Sequence, residues 1–215
     1  MRFVLGISGA SGAVYALRLL EQMLLSGAEV HLVVSDYGKR LMLEEAGIAH
    51  YDARTLCPHL AATPSPSAAA EISRRLFIHP HKDVGAVIAS GSFLHDGMVV
   101  MPCSSTSLGA IATGSGSNLL SRAAMVTLKE RRPLILCHRE SPLSLIDIEN
   151  MRTITLAGGI ICPTNPGFYL HPKKVEDLVD FMVGKVLDLL KVEHALDTRW
   201  DTNRPRDPGS AAAKL

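Results

Sequence analysis

Three turns rich in glycine and hydroxyl residues have the composition of sites that bind phosphate groups. The first, GISGASG at residues 6–12, follows an apolar run and precedes a helical pattern. Its backbone amides and the hydroxyls of Ser8 and Ser11 would meet an anion at the positive end of the helix dipole. The alternative is a tight turn between a strand and a helix with no ligand.

The second and third turns lie in the middle of the chain. One contains Ser90 and Gly91, and the other is the hydroxyl run Ser104-Ser105-Thr106-Ser107 at a predicted helix start. Capping a helix needs one such residue, and hydroxyl residues are poor helix formers. Four in succession therefore indicate contact with a ligand.

A charged pair follows the apolar run at 134–137. Arg139 and Glu140 stand where a strand ends, and their types suit anion binding and proton transfer. Adjacent side chains on an extended segment point to opposite faces, so we expect no ion pair between them. We interpret His138 as a structural or an exposed histidine rather than a catalyst. After the last apolar run, a stiff loop presents Tyr169 either to a ligand or to another subunit.

The glycine spacing argues against a dinucleotide site. Gly6, Gly9 and Gly12 fall at i, i+3 and i+6, whereas the dinucleotide fingerprint is G-x-G-x-x-G. Asp36 follows the second predicted strand, roughly where a ribose-binding acid would stand. With this glycine pattern, we instead expect Ser35 or Asp36 to cap the next helix.

These turns are positioned by short apolar runs that alternate with amphipathic stretches. Strands are predicted at 3–7, 30–34, 84–89, 98–101, 134–137 and 159–162. Helices are predicted at 12–26, 36–46, 66–76, 104–112, 118–130, 143–156 and 173–190. The alternation predicts a flavodoxin-like or Rossmann-like α/β fold, a doubly wound parallel sheet in a three-layer αβα arrangement. Sites in such sheets lie at the carboxyl ends of the strands.

The amino-acid composition argues against a disordered, nucleic-acid-binding, metal-binding, secreted or membrane protein. The 215 residues are 47% hydrophobic and carry a net charge of +1 without a basic stripe, which predicts a folded protein that binds no nucleic acid. The four cysteines have no zinc-site spacing, so we predict buried free thiols and no metal site. We find no signal peptide or membrane-length apolar run, and expect a cytoplasmic protein.

We predict one domain at 1–192 and a polar tail at 193–215. The segment 57–70, rich in Pro, Ser and Ala, is predicted to be a surface excursion rather than a linker, because the strand and helix alternation resumes after it.

Several separated motifs together resemble the flavin prenyltransferase family (UbiX-like). They are GISGASGAVYALRLLE, ASGSF, PCSSTSLGAIATG, NLLSRAAMVTLKERRPLILCHRESPLS, IENM and NPGFY, within about residues 2–192. The resemblance implies transfer of a dimethylallyl group from dimethylallyl phosphate to N5 and C6 of reduced FMN. The implied product, prenylated FMN, serves a UbiD-like decarboxylase. Members form dodecamers whose sites are shared between subunits.

The same resemblance assigns roles to individual residues. It implies flavin contacts from Gly9, Ala10, Ser11, Ser35, Ser104, Ser105, Thr106, Ser107 and Arg139. It implies prenyl phosphate contacts from Ser90, Gly91, Arg122, Lys129, Tyr169 and Lys185. The implied catalytic residues are Ser11, Glu45 and Glu140, with Ser11 and Glu45 as a proton relay near the flavin ring.

Two positions depart from the family pattern, and two other functions stay open. Lys185 stands where an arginine is usual and lacks its bidentate fork, and Met125 stands where an acid is common. The first alternative is an FMN-dependent decarboxylase of the cysteine or phosphopantothenoylcysteine type, whose histidine and Met-rich clamp are missing here. The second is a non-catalytic FMN-binding subunit of an aromatic acid decarboxylase, which would not need Glu45, Lys129, Glu140 and Tyr169.

Overall fold

Six parallel strands form one sheet in the computed structural model, which describes residues 1–61 and 66–199. The strands are β1 (Arg2–Ile7), β2 (Glu29–Val34), β3 (Leu76–His79), β4 (Gly97–Cys103), β5 (Leu134–His138) and β6 (Ile160–Ile161). They lie in the order β3-β2-β1-β4-β5-β6. The order reverses between β1 and β4, and ligand sites of such sheets lie outside the carboxyl ends of the strands at that point. The predicted doubly wound α/β fold is confirmed.

Nine α-helices of the described chain surround this sheet. They are α1 (Ala13–Leu25), α2 (Asp36–Ala46), α3 (Ala53–Leu56), α4 (Pro58–Ala61), α5 (Pro66–Arg74), α6 (Ser105–Ala112), α7 (Leu119–Lys129), α8 (Leu145–Leu156) and α9 (Val175–Leu189). Side chains of β1 alternate between two apolar cores, with Phe3 and Leu5 in the core of α1 and α9, and Val4 in the core of α6 and α7. The strands are apolar on both faces because both faces are covered.

The prediction of a third strand at residues 84–89 is wrong. The run at 84–89 forms turns and one turn of 3-10 helix (Val87–Ala89), because Asp83 accepts from the Gly85 amide and its carbonyl from the Ala86 amide. The third strand of the sheet is β3, partly inside the predicted helix 66–76. It pairs with β2 alone and leaves Phe77 and Ile78 exposed, so it lacks the continuous apolar run of a buried strand.

The predicted surface excursion at 57–70 and the predicted polar tail at 193–215 both contain residues that contact the rest of the fold. Cys57 and Leu60, at the start of the predicted excursion, are buried in the core, while residues 62–65 lie outside the described chain. Arg132, which lies between α7 and β5, donates to the carbonyls of Gly91 and Phe93 at 2.6 and 2.7 Å. Beyond α9, His194 and Arg199 contact the Asp188 carboxylate, and residues 200–215 of the predicted tail lie outside the described residues.

The four cysteines are buried and free, as predicted. Among residues 1–61 and 66–199, no helix combines the length and apolarity needed to span a bilayer. In the same part of the chain, no three His, Cys, Asp or Glu side chains converge in a way that would hold a metal ion.

Three histidines contact aromatic rings beside the strands: His31 lies in β2, His79 ends β3 and His95 precedes β4. His31 Nε2 lies 2.8 Å from the Glu29 carboxylate, which only accepts, so His31 donates there. In the neutral ring His31 Nδ1 then accepts from His79 Nε2, also at 2.8 Å. Burial lowers the pKa of His31, His79 and His95 below their ordinary value of 6.5. Folding therefore favours the neutral rings.

This cluster predicts loss of stability in mild acid. The folded-state pKa values lie below 6.5, so the unfolded chain binds more protons as the pH falls below that value. Stability is fully present above pH 6.5 and decreases below it by up to about 1.4 kcal/mol per pH unit for each proton taken up. Thermal unfolding at pH 7.5 and 5.5 measures the effect, and His79→Phe should reduce the difference. Equal midpoints at both pH values would contradict the prediction.

Candidate active site

A buried serine joins the first turn to the start of α6 where the strand order reverses. The Ser8 hydroxyl donates to the Pro102 carbonyl at 2.9 Å and accepts from the Ser104 amide at 2.8 Å. The Ser8 amide donates to the same carbonyl at 3.2 Å. Ser8 is therefore structural, whereas its type and position predicted a ligand contact. The bonds place the glycine turn and the hydroxyl run side by side, as predicted.

Serines cap two of the helices that begin at this edge, α2 and α6. The Ser35 hydroxyl accepts from the Gly38 amide at 2.9 Å at the start of α2, which confirms the predicted cap. The Ser104 hydroxyl accepts from the Ser107 amide at 3.2 Å at the start of α6. Thr106 is exposed in the first turn of α6, and Gly9, Ala10 and Ser11 lie in the adjacent turn. These predicted flavin contacts share one edge of the sheet.

Glu45 occupies the amino end of α1. One oxygen of its carboxylate accepts from the amides of Gly12 and Ala13 at 2.9 and 2.8 Å. The turn predicted to hold a phosphate thus binds a carboxylate of the protein itself, by the same physics of amides and helix dipole. No feature of the sequence around residue 45 indicates this contact, because it joins α2 to a turn far away in the chain.

The contacts of Glu45 keep it ionised. Burial alone would raise the pKa of the carboxyl. The amides of Ala13 and Gly12, the Ser11 hydroxyl and the charge of Arg139 outweigh it, and the pKa falls below its ordinary value of 4.5. The Ser11 hydroxyl therefore contributes to the lowered pKa of Glu45, and the relay predicted for this pair stays a prediction.

Arg139 and Glu140 follow β5 at the same edge. Arg139 Nε donates to the Ser11 carbonyl at 3.2 Å, and Glu140 accepts from the Ser141 amide at 3.0 Å. The ion pairs of the described chain include none between Arg139 and Glu140, as expected. A cleft of about 170 Å³ opens beside them. Its lining combines these charges with apolar side chains and is formed by His138, Arg139, Glu140, Ser141, Leu143, Met151, Pro163, Thr164 and Asn165.

Three predicted phosphate ligands lie at the opposite edge of the sheet. Ser90 and Gly91 precede β4, and Lys129 ends α7 just before β5, so all three stand at the amino ends of the strands. Lys129 forms an ion pair with Glu130 at 2.9 Å beside Gly91. One subunit therefore does not bring them to Ser11, Glu45 and Arg139.

The remaining predicted ligands lie on other elements. Arg122 is exposed on α7. Tyr169 stands in the loop after β6 and packs edge-on against Phe181, with ring centroids 5.6 Å apart. Lys185 is exposed on α9. A hydrogen bond from Cys137 and the charge of Lys185 lower the pKa of the Cys162 thiol, which places Lys185 near the end of β6.

Gly38 is the position where α2 leaves no room for a side chain. A Cβ there would stand 2.7 Å from the Ile7 carbonyl oxygen, a backbone atom at the end of β1. We expect Gly38→Ala to lower the free energy of unfolding by about 1–3 kcal/mol by overpacking. The matched control is Gly85→Ala, where the nearest atom is 3.5 Å away. Urea unfolding of both variants measures the difference, and equal stability would show that α2 shifts freely.

Comparison with known proteins identifies the family. A family model described as Flavoprotein matches residues 1–187. The chain is 43% identical over 202 residues to the flavin prenyltransferase UbiX of Halalkalibacterium halodurans, covering 94% of each protein. It is 42% identical to UbiX of Thermoplasma acidophilum, covering 93% of this chain and 100% of that one. The chain belongs to the flavin prenyltransferase family.

Solved structures of flavin prenyltransferase relatives share the fold. AnUbiX (PadA1) in complex with FMN and dimethylallyl pyrophosphate superposes with a TM-score of 0.78 at 36% identity, covering 93% of this chain and 97% of that one. A dodecameric FMN-dependent UbiX-like decarboxylase from Escherichia coli O157:H7 superposes with a TM-score of 0.78 at 37% identity. The match covers 94% of this chain and 100% of that one. The cysteine decarboxylase TvaF superposes with a TM-score of 0.58 at 12% identity, which shows a shared fold alone.

Proposed function

We propose that this protein is a flavin prenyltransferase. It transfers the dimethylallyl group of dimethylallyl phosphate to N5 and C6 of reduced FMN and releases prenylated FMN. The observation that carries the proposal is the similarity over nearly the full chain to flavin prenyltransferases and to a relative solved with FMN and dimethylallyl pyrophosphate. The carboxyl of Glu45, whose pKa is lowered by the amides of Ala13 and Gly12, the Ser11 hydroxyl and the charge of Arg139, agrees with it.

The donors at the carboxyl edge suit a phosphorylated flavin. We assign FMN to the turn Gly9-Ala10-Ser11, to Ser35, to Ser104, Ser105, Thr106 and Ser107, and to Arg139. The Ser35 hydroxyl accepts from the Gly38 amide, which leaves its proton for a ligand. Arg139 brings a positive charge to the same edge. When bound, reduced FMN supplies the nucleophilic N5 and C6 that take the five-carbon unit.

Glu45 has the properties of a base in this site. Forming the bond at C6 requires loss of a ring proton, which an ionised carboxylate accepts. The amino end of α1 holds Glu45 in place, and the amides of Ala13 and Gly12, together with the Ser11 hydroxyl, lower its pKa. We therefore assign Ser11 and Glu45 as the proton relay and Glu140 as a second acid or base beside the leaving phosphate.

Cleavage of the allylic C–O bond places negative charge on the departing phosphate. Cations that meet this charge as it develops lower the barrier. Arg139 stands at the carboxyl edge and Lys185 near the end of β6. Lysine at 185 keeps the charge but not the bidentate geometry. Tyr169 and Arg122 complete the phosphate contacts that we assign from the described elements.

A neighbouring subunit must supply three of the assigned phosphate ligands, Ser90, Gly91 and Lys129. They stand at the amino edge, whereas Ser11 and Arg139 stand at the carboxyl edge. We infer a homo-oligomer, a dodecamer like the E. coli relative, in which the amino edge of one subunit completes the site of its neighbour. Exposed apolar residues in the first turn of α8 support such contact, with Leu145 and Ile146 at 72% and 73% exposure.

The same proposal includes the extent of the catalytic unit, the use of the product and the cellular compartment. Residues 1–192 form the catalytic unit, and the product serves as cofactor of a UbiD-like decarboxylase. Four free cysteines agree with a reducing compartment, for which we propose the cytoplasm. The cysteine decarboxylases share the fold alone, so the first alternative has no support from them.

Release of inorganic phosphate tests the reaction. The protein is incubated anaerobically with reduced FMN and dimethylallyl monophosphate, and phosphate is assayed over time. We expect release only when reduced FMN is present. The control with oxidised FMN should release none. Binding of FMN without phosphate release would favour the accessory subunit. Loss of CO₂ from a cysteine-containing peptide would favour the decarboxylase.

A further inference from the structure

We propose that His138 is a positioning residue of the flavin site, acting through Ser105. The inference rests on the proposed function, since it concerns the FMN contacts assigned above. His138 ends β5, Ser105 begins α6, and Asp147 lies in the first turn of α8. The three side chains meet beneath the carboxyl edge, where Arg139 follows His138 directly in the chain.

The contacts form a buried network. The Ser105 hydroxyl lies 3.1 Å from His138 Nε2 and also lowers the pKa of the Asp147 carboxyl. His138 Nε2 is 3.9 Å from the same carboxylate. His138 and Asp147 are only 2% and 6% exposed. Removing one partner would leave buried polar atoms of the others unsatisfied, which is costly.

Donor chemistry fixes the direction of each bond. The Ser144 hydroxyl, the Ser105 hydroxyl and the Ser144 amide hold the pKa of Asp147 at about 2. The carboxylate is therefore ionised and only accepts. We infer that Ser105 directs its one proton toward Asp147, whose pKa it lowers, so that its oxygen accepts from the Nε2–H of His138. The chain of donors runs from His138 to Ser105 to Asp147.

Two consequences follow for the flavin site. The Ser105 hydroxyl has no proton left for a ligand, so its contribution to FMN binding comes from its backbone amide. The hydroxyl protons at this helix start come from Thr106 and from Ser107, which accepts from Ser104. The network also ties the first turn of α6 to the first turn of α8, and so sets where these donors stand.

The test compares two replacements of His138 in the full-length protein. Phe fills the space without a donor, whereas the side-chain amide of Gln reaches about as far as Nε2 and donates to Ser105. FMN affinity is measured by quenching of flavin fluorescence. We expect His138→Phe to weaken FMN binding about tenfold, the size of a lost bond in a charged network. We expect His138→Gln to stay within about threefold of the unmodified protein.

A second buried histidine supplies the matched control. His95 lies 3.1 Å from the Gly97 carbonyl and 3.4 Å from Thr127, away from α6 and α8. His95→Phe should lower thermal stability but leave FMN affinity unchanged. If His138→Phe does not fold, Ser105→Ala replaces it, with the same expected tenfold loss. Where both fold, the double variant should lose no more than either single variant, because both break one chain of bonds.

The outcomes separate this inference from the proposed function. Unchanged FMN affinity in His138→Phe or Ser105→Ala would overturn the positioning role, as would equal losses in the Phe and Gln variants. An unmodified protein that binds FMN but releases no phosphate from dimethylallyl phosphate would overturn the prenyltransferase assignment and leave the role of His138 in FMN binding intact.

Discussion

Replacing Glu45 with Gln is expected to slow prenyl transfer by about 10²- to 10⁴-fold, the usual contribution of a positioned general base. FMN should still bind, because the Gln carbonyl can accept from the amides of Gly12 and Ala13 as Glu45 does. What the variant loses is the charge, which those amides, Ser11 and Arg139 stabilise in the native protein. Single-turnover rates with reduced FMN and dimethylallyl phosphate measure the effect, with FMN affinity measured in parallel.

The neighbouring Glu44 provides the control for this variant. Glu44 is exposed on the same turn of α2, and its carboxylate accepts from Arg40 at 2.7 Å, away from the amino end of α1. Glu44→Gln should retain nearly full activity, since an exposed pair of this kind contributes little. Normal turnover in Glu45→Gln would remove Glu45 from the mechanism. Loss of FMN binding in the same variant would give it a structural role instead.

Mixing two inactive variants is expected to restore activity. Lys129→Met removes a cation at the amino edge, and Glu45→Gln removes the base at the carboxyl edge. If the amino edge of one subunit completes the site of its neighbour, a mixed oligomer contains some sites with both native residues. Each variant alone has none. We expect Lys129→Met alone to reduce kcat/KM for dimethylallyl phosphate by about 10²-fold or more.

The experiment uses co-expressed chains that carry different affinity tags. Oligomers that bind both resins in succession contain both variants, and their activity is compared with that of each pure variant. Oligomers of one variant mixed after purification, without exchange of subunits, control for independent contributions. Mixed oligomers as inactive as the pure variants would show that no site combines Lys129 of one subunit with Glu45 of another.

The sequence predicts the fold well because buried parallel strands carry continuous apolar runs. Five of the six strands, β1, β2, β4, β5 and β6, lie where such runs occur. The strand that was missed, β3, is at the edge, and its Phe77 and Ile78 face solvent. A partly exposed edge strand has no distinctive pattern, while the apolar run at 84–89 belongs to a turn and a 3-10 helix.

The site is only partly predictable for a related reason. The carboxyl ends of parallel strands all lie at one edge of the sheet, so the turns after them meet there whatever side chains they carry. The topology of the sheet therefore determines where Ser11, Ser104 and Arg139 lie. The position of Glu45 depends on a contact between α2 and the amino end of α1, which no local pattern encodes. Whether a serine caps, joins strands or binds a ligand depends on its partners in space. Ser8 and Ser105 show this, since both have their hydroxyls committed within the protein.

The mass of the flavin released after turnover tests the central claim most directly. The protein is incubated under anaerobic conditions with reduced FMN and dimethylallyl monophosphate, denatured, and the released flavin is analysed by mass spectrometry. The account predicts a flavin heavier than FMN by one five-carbon prenyl unit, formed by the native protein and not by Glu45→Gln. Recovery of unmodified FMN from the native protein, with FMN bound throughout, would contradict the account.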